Sequence, residues 1–399
     1  MNDQIQRHPS VNLAVCGRFH YQNYVQYLEA SGFLNQYLYA DKISRGGEAL
    51  GIPPAKAVNG FFKEYAVQLH SRILKTRWQV PAFSLYHQLW QRYVLSQWKP
   101  ADILHVMLHG NTRLLMKRAK SERATIIGEP VNCHPDELRD LLNEEYERLG
   151  LKERLEQNAL DERLVAEIQE CDHLIVASKW IKDSFVKHGF FEERTKVIPY
   201  GINPQRFSPL ENTEATLEVI DRGKFRVICV GQIALRKGHV DLLEAWRRLK
   251  LPNAELLFIG RIKPEMEPVL ARYKDGFKHI PHVPNHLLRH YYGSSHVFAL
   301  PSVEDGFGYV SVEAMACGLP VIATINSGSS EVIDEGVTGF KVPIRSPDAI
   351  AEKIELLYRD RERQQAMGQA AREKAVQEMR WDNYTKKLCK YYEEIIHPV

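Results

Sequence analysis

Residues 296–324 read HVFALPSVEDGFGYVSVEAMACGLPVIAT. An apolar run, 296–300, ends in a Pro/Ser/Gly loop. A helical run follows from about Tyr309 through 310–317, and a second apolar run, 321–324, closes the unit. Strand, glycine loop, helix and strand within thirty residues is the repeating unit of a parallel α/β sheet. The same alternation extends in both directions. Upstream strand candidates are 11–16, 103–108, 124–127, 173–177 and 195–199; after residue 203 come 225–230, 255–259, 277–281 and, beyond the quoted stretch, 339–342. Helical patterns fall between them, as at 237–249, 285–293 and 346–359. Strands apolar on both faces and separated by helices form parallel sheets covered on both sides. The pattern restarts after Pro199-Tyr200-Gly201-Ile202-Asn203-Pro204 and the polar stretch 208–222, the composition of a domain linker. The expected organisation is a first α/β domain over 1–203 and a second over 204–380. A helix over 381–399 carries Trp381, Tyr384, Leu388 and Tyr391 at helical spacing and is expected to pack back toward the first domain.

Composition bounds the function. The 399 residues are 44% hydrophobic and 26% charged, with 53 Lys/Arg against 50 Asp/Glu. These are the proportions of a globular protein with a full core, and the net charge of +3 demands no nucleic acid. The six cysteines stand far apart without a C-x-x-C pair, so neither structural zinc nor dithiol redox chemistry is indicated. The first residues lack a signal-peptide pattern and no apolar run is long enough to span a bilayer, so the expected location is cytoplasmic. G-x-G-x-x-G, the P-loop motif and Asp-x-Asp are all absent. Any phosphate would therefore be held by arginine, lysine and helix N-termini rather than through a carboxylate-bound metal.

Two loops carry candidate chemistry. After strand 296–300, Gly306 and Gly308 let backbone amides approach a ligand, and a helix N-terminus there favours an anion. Asp305 in the loop and Glu313 in the first helical turns are placed to accept hydrogen bonds from hydroxyl pairs of a ribose and a sugar. A solvated loop with a helix-capping acid is the alternative on spacing alone. After strand 225–230, Arg236 and Lys237 form a cation pair at a strand-to-helix junction, suited to a diphosphate or to a solvated surface.

Together, D-G-F-G-Y-V-S-V-E-A-M-A-C-G-L-P-V-I over 305–322, Ser327-Gly328-Ser329-Ser330-Glu331-Val332, Gly336-Val337-Thr338-Gly339-Phe340 and the interdomain Gly201-Ile202-Asn203 with Phe207 resemble the retaining glycosyltransferases of family GT4, which have the GT-B fold. The resemblance implies two Rossmann-like domains facing across a cleft. It implies a nucleotide-diphosphate sugar donor, a saccharide or lipid-linked acceptor, and no metal or other cofactor. It implies ribose contact by Glu313 and sugar contact by Asp305. Backbone contact to sugar and diphosphate would come from Phe307, Gly308 and Tyr309, and diphosphate contact from Arg236 and Lys237. The base would lie by the loops after Gly260 and around His282-Val283. Asp305 is a methylene shorter than the family's glutamate, with Glu304 beside it to compensate. Gln232 stands where many members have arginine, a charge Arg236 would supply.

In the first domain the resemblance places Gly17 in a loop near the donor phosphate and His134 as the cleft histidine that contacts the transferred sugar. A plain helix-start residue is the alternative for His134. His109 and Asn111, at a strand end, are candidate acceptor contacts; His105, inside that strand, reads as core. Residues 51–123 hold twelve Lys/Arg against three acids, interleaved with Phe61, Phe62, Tyr65, Trp78, Phe83, Tyr86, Trp90, Tyr93 and Trp98. This suits peripheral contact with an anionic membrane, and equally a helical core with a basic rim. The expected activity is transfer of a hexose-like sugar with retention, as in cell-surface polysaccharide or glycolipid assembly. A non-catalytic nucleotide-sugar or saccharide-binding protein and a sugar phosphorylase or synthase of the same fold are the rival readings.

Overall fold

The computed structural model describes residues 7–42, 46–73, 79–209 and 223–398. Within them the chain forms two sheets whose paired strands are all parallel. The first contains β1 (Val11–Val15), β2 (Leu34–Tyr39), β3 (Ala57–Asn59), β4 (Ile103–Met107), β5 (Thr125–Glu129), β6 (His173–Val176) and β7 (Thr195–Val197). Its order is β3-β2-β1-β4-β5-β6-β7. The second contains β8 (Phe225–Val230), β9 (Ala254–Ile259), β10 (Lys278–Ile280), β11 (Val297–Leu300), β12 (Val321–Thr324) and β13 (Gly339–Val342), in the order β10-β9-β8-β11-β12-β13. All six strands read from the second half of the sequence are present. The first sheet has two that hydrophobic patterning misses. β2 carries Asn35 and Gln36 among its apolar residues, and β3 is three residues long.

Each sheet reverses its strand order once, between β1 and β4 and between β8 and β11. Those are the crevices where open parallel sheets hold ligands, beyond the carboxyl ends of the strands. Gly17 and His109 follow β1 and β4. Arg236–Lys237 and the 301–309 loop follow β8 and β11. Four of the loops singled out from sequence thus border the two switch points.

The chain crosses between the domains twice at one place. Ile202 N–H donates to Met379 O at 2.6 Å, and a β-carbon on Gly201 would lie 2.6 Å from Trp381 N, so no larger residue fits that crossing. The helix Trp381–Ile396 then lies against the helix Tyr21–Ala30, with the Tyr24 and Tyr384 rings 5.0 Å apart. All six cysteines are buried and unpaired. No helix among the described residues is long and apolar enough to cross a membrane.

The buried polar centre of the first domain is Glu129, at the end of β5. His20 Nε2 lies 2.6 Å and His105 Nε2 3.0 Å from its two oxygens, and Tyr200 OH donates to it at 2.6 Å. His105 Nδ1 in turn meets Tyr392 OH at 2.6 Å, so the last helix is keyed to the same carboxylate. Burial opposes the charge on Glu129, but His20 and His105 outweigh it and hold the carboxyl well below its usual range. Replacing Glu129 with leucine strands two imidazoles and a phenol in the core. The expected loss is about 3–5 kcal/mol, read as a lowered urea-unfolding midpoint.

Candidate active site

The turn after β8 and the loop after β11 are built as one unit. Val303 N–H donates to Arg236 O at 2.8 Å. A β-carbon on Gly238, whose φ is +62°, would lie 1.9 Å from Pro301 O. This close backbone approach places the two predicted cations beside the two acids. Arg236 Nη1 is 3.2 Å from Glu304 Oε2 and 3.9 Å from Asp305 Oδ1, and Lys237 Nζ pairs with Asp305 Oδ2. For Asp305, burial raises the pKa, yet Lys237 and Arg236 prevail and hold it below the carboxylate range. Glu304 is fully buried, and burial drives its pKa upward despite Arg236. Its Oε1 also accepts from the Cys133 N–H of the first domain at 3.2 Å. The expectation that Glu304 compensates for the short Asp305 is therefore not met. Its carboxylate is committed to Arg236 and to the domain junction.

Glu313 sits in the second turn of the helix Tyr309–Ala316. Tyr292 OH donates to its Oε2 at 3.0 Å and Asn285 Nδ2 reaches Oε1 at 3.5 Å. Burial raises its pKa, partly offset by those two bonds. Gly308 has a φ of +72°, and a β-carbon there would lie 2.3 Å from Ser329 Oγ. The Phe307 and Tyr309 side chains face inward rather than toward a ligand. Tyr309 stacks on Tyr200 at 5.2 Å, and Phe307 meets the same ring edge-on at 5.1 Å. Only their backbones remain for the predicted donor contacts. The turns after Gly260 and Gly231 touch, since a β-carbon on Gly260 would lie 1.8 Å from Gly231 O.

The first domain meets this loop directly. Ser178 Oγ donates to Gly306 O at 3.1 Å, and Gly306 passes so close to Val131 O that a β-carbon would lie 1.9 Å from it. Gly17 lies in the turn after β1, where the preceding carbonyl, Cys16 O, accepts from Lys63 Nζ at 3.0 Å. Lys63, on the helix Phe62–Ile73, is a buried cation beside the predicted phosphate loop that sequence reading did not single out. A lysine in an amphipathic pattern gives no sign of pointing inward.

The ring of His134 caps the helix Pro135–Arg148, Nδ1 accepting from Asp136 N–H at 3.3 Å. It stacks on His188 at 4.1 Å and 7°, with Phe185 edge-on. Pro135 at the first helical position suits His134 to the cap, the geometry of the helix-start alternative. His134, Asp136 and His188 are the one set of possible metal ligands close together among the described residues. Parallel stacked imidazoles do not aim their lone pairs at a common point, and Asp136 is paired with Arg139 at 2.5 Å, so the set does not fit a metal. His109 and Asn111 both line a cavity of about 400 Å³ at the β1/β4 switch point.

With this geometry, similarity to known proteins is decisive. Residues 213–374 match the family model of glycosyl transferases group 1. Over this segment the second domain is similar to the group 1 glycosyl transferases. The chain is 31% identical over 214 residues to a GDP-mannose-dependent alpha-(1-6)-phosphatidylinositol monomannoside mannosyltransferase of Mycobacterium tuberculosis, covering 49% of this chain and 54% of that protein. It is 27% identical over 251 residues to an alpha-maltose-1-phosphate synthase of Mycolicibacterium smegmatis, covering 57% and 64%. The match thus spans a little over half the length of these curated relatives. Over the whole chain the fold is that of sucrose-phosphate synthase from Thermosynechococcus elongatus, with a TM-score of 0.67 at 19% identity over 98% of this chain and 100% of that one. It is also that of Anabaena HepE, solved with UDP and glucose, with a TM-score of 0.63 at 17% identity over 97% and 100%. The two domains therefore form a GT-B fold.

Burial depresses His134 and His109 to about 4. Below about pH 6.5 the unfolded chain takes up protons at these positions that the folded chain refuses. Thermal stability should therefore fall as pH drops from about 6.5 toward 4, and melting curves across that range test it.

Proposed function

We propose that this chain is a retaining, metal-independent glycosyltransferase that moves a hexose-like sugar from a nucleoside-diphosphate donor to an acceptor hydroxyl. The observation that carries the reading is the set Arg236, Lys237, Asp305 and Glu313, gathered at the β8/β11 switch point of a domain similar to the group 1 glycosyl transferases. The relatives support the donor class: one is named for GDP-mannose and HepE was solved with UDP-glucose. In the reaction, the bond from the sugar's anomeric carbon to the diphosphate oxygen breaks. The acceptor oxygen bonds to that carbon on the same face, and its proton passes to the departing phosphate oxygen. Arg236 and Lys237 offset the charge that develops on the diphosphate, in place of a metal. As the diphosphate engages Lys237, Asp305 is released to accept from sugar hydroxyls, while Glu313 holds the ribose. Catalysis is positioning and charge stabilisation, with the domains closing around the donor.

The acceptor side carries a surface suited to a membrane. Phe61, Phe62, Tyr65, Leu69, Leu85, Leu89 and Tyr93 are all exposed on and beside the helices Phe62–Ile73 and Gln79–Ser96, within the basic region 51–123. Trp90 is core, its Nε1 donating to Tyr39 O, while Trp78 lies outside the described residues. Exposed apolar side chains in a basic setting favour peripheral docking on anionic lipid over a closed helical core.

Thermal shift with UDP-, GDP- and ADP-sugars tests the donor site. One nucleotide class should raise the melting temperature of the native chain, and Glu313→Ala should abolish that rise. Transfer should survive EDTA. Sedimentation with anionic but not neutral vesicles is expected from the exposed helical face, and no sedimentation with either removes the membrane contact. Binding without turnover across varied acceptors would favour a non-catalytic binding protein.

A further inference from the structure

Between the carboxyl ends of β1 and β4 lies a cavity of about 400 Å³ whose lining includes Phe19, Lys63, His109, Asn111 and Arg163. Glu64 is its one acidic lining residue, and that carboxylate is paired with Lys63 at 2.6 Å. Arg163 has a buried Nε that donates to nothing among the described residues, and His109 Nε2 is likewise buried without a partner. The acid one turn further along the same helix offers no relief. Glu167 accepts from the amides of Gly110, at 2.7 Å, and Thr112. Buried donors left without acceptors cost folding free energy, and a ligand that supplies acceptors relieves that cost.

The electrostatics agree. His109 is held at about 4 by burial first, and then by repulsion from His87, Lys63 and His20. Burial disfavours charge of either sign there, while the smaller Coulombic contribution of His87, Lys63 and His20 is the part that favours an anion. A second cavity, of about 320 Å³, shares His109 and Leu160 with the first, and its walls are mainly leucine, proline and valine. Its wall also includes Val131 and Cys133, which touch Gly306 and Glu304 of the donor loop. The cationic cavity therefore shares a wall, His109 and Leu160, with a space that borders the proposed donor site.

We infer that the first domain selects an anionic acceptor, a hydroxyl compound bearing a phosphate or carboxylate that Arg163, His109 and Lys63 bind. This rests on the transferase reading above and narrows its acceptor. Arg163 supplies the directional hydrogen bonds. Neutral His109 donates from Nε2, and Lys63, its charge shared with Glu64, stands at the mouth of the Gly17 turn. The role proposed for Arg163 is binding alone, apart from the transfer chemistry.

The test is calorimetric titration of the full chain, at constant ionic strength, with glucose 6-phosphate, glucuronate, glucose and inorganic phosphate, and separately with UDP, GDP and ADP. At least one of the two sugar anions should bind at least tenfold tighter than glucose, and which one does separates phosphate from carboxylate recognition. Arg163→Gln should weaken that anion tenfold or more, and Arg163→Lys less. Nucleotide affinity should be unchanged in both variants, which also reports that they are folded. The inference is overturned if glucose binds as well as the anions or if neither anion binds. It is equally overturned if inorganic phosphate matches the sugar anion, or if Arg163→Gln binds like the native chain. If the anion binds as described but none of UDP, GDP and ADP binds, the transferase reading fails and the anion site stands.

Discussion

Four ionisable side chains compressed into one seam organise this molecule. Arg236 and Lys237 end the turn after β8, Glu304 and Asp305 occupy the loop after β11, and backbone contacts at Gly238 and Val303 leave them little choice of partner. Buried charges tolerate such proximity only when paired, so each loop fixes the other. The same seam fastens the two domains, because Glu304 also accepts from Cys133 N–H and Gly306 abuts Val131. A second interdomain anchor lies along the helix Pro135–Arg148. There Arg148 bridges Glu145 and Asp241, and Arg345 reaches Glu144 and Glu145. The donor side is thus a place where both domains and both signs of charge converge. A diphosphate entering there exchanges one set of anions for another.

The second domain was legible because its strands are fully buried and read as plain apolar runs, and because D-G-F-G-Y-V-S-V-E is informative on its own. The first domain was less so. β2 carries the adjacent polar pair Asn35 and Gln36 near a sheet edge, and β3 is too short to show any period. Among site residues, pairings were the hidden part. Spacing places Arg236 and Asp305 on neighbouring loops. It does not show that Lys237 neutralises Asp305, or that Glu304 is turned away. His134 illustrates the limit, since a histidine before Pro135 fits both a cleft residue and a cap, and spacing does not show its stack with His188. Glu129 stood in plain view in Gly128-Glu129-Pro130, yet its partners His20, His105 and Tyr200 lie up to 109 positions away. Only the parallel arrangement of β1, β4 and β5 brings them together.

The two halves divide the chemistry by charge. On the donor side cations are already answered by carboxylates, so binding there is an exchange. On the acceptor side Arg163 and His109 have no such answer among the described residues, so binding there completes a deficit. Under the proposed function, exchange makes donor affinity depend on how readily Asp305 gives up Lys237, and so couples nucleotide binding to release of the acid proposed to meet the sugar.

That coupling is the central claim, and one comparison tests it most directly: calorimetric affinities of the preferred nucleoside and its diphosphate for the native chain and for Lys237→Met. The account predicts that the variant loses diphosphate affinity tenfold or more while the nucleoside binds unchanged. Equal diphosphate affinity in the two proteins would contradict it.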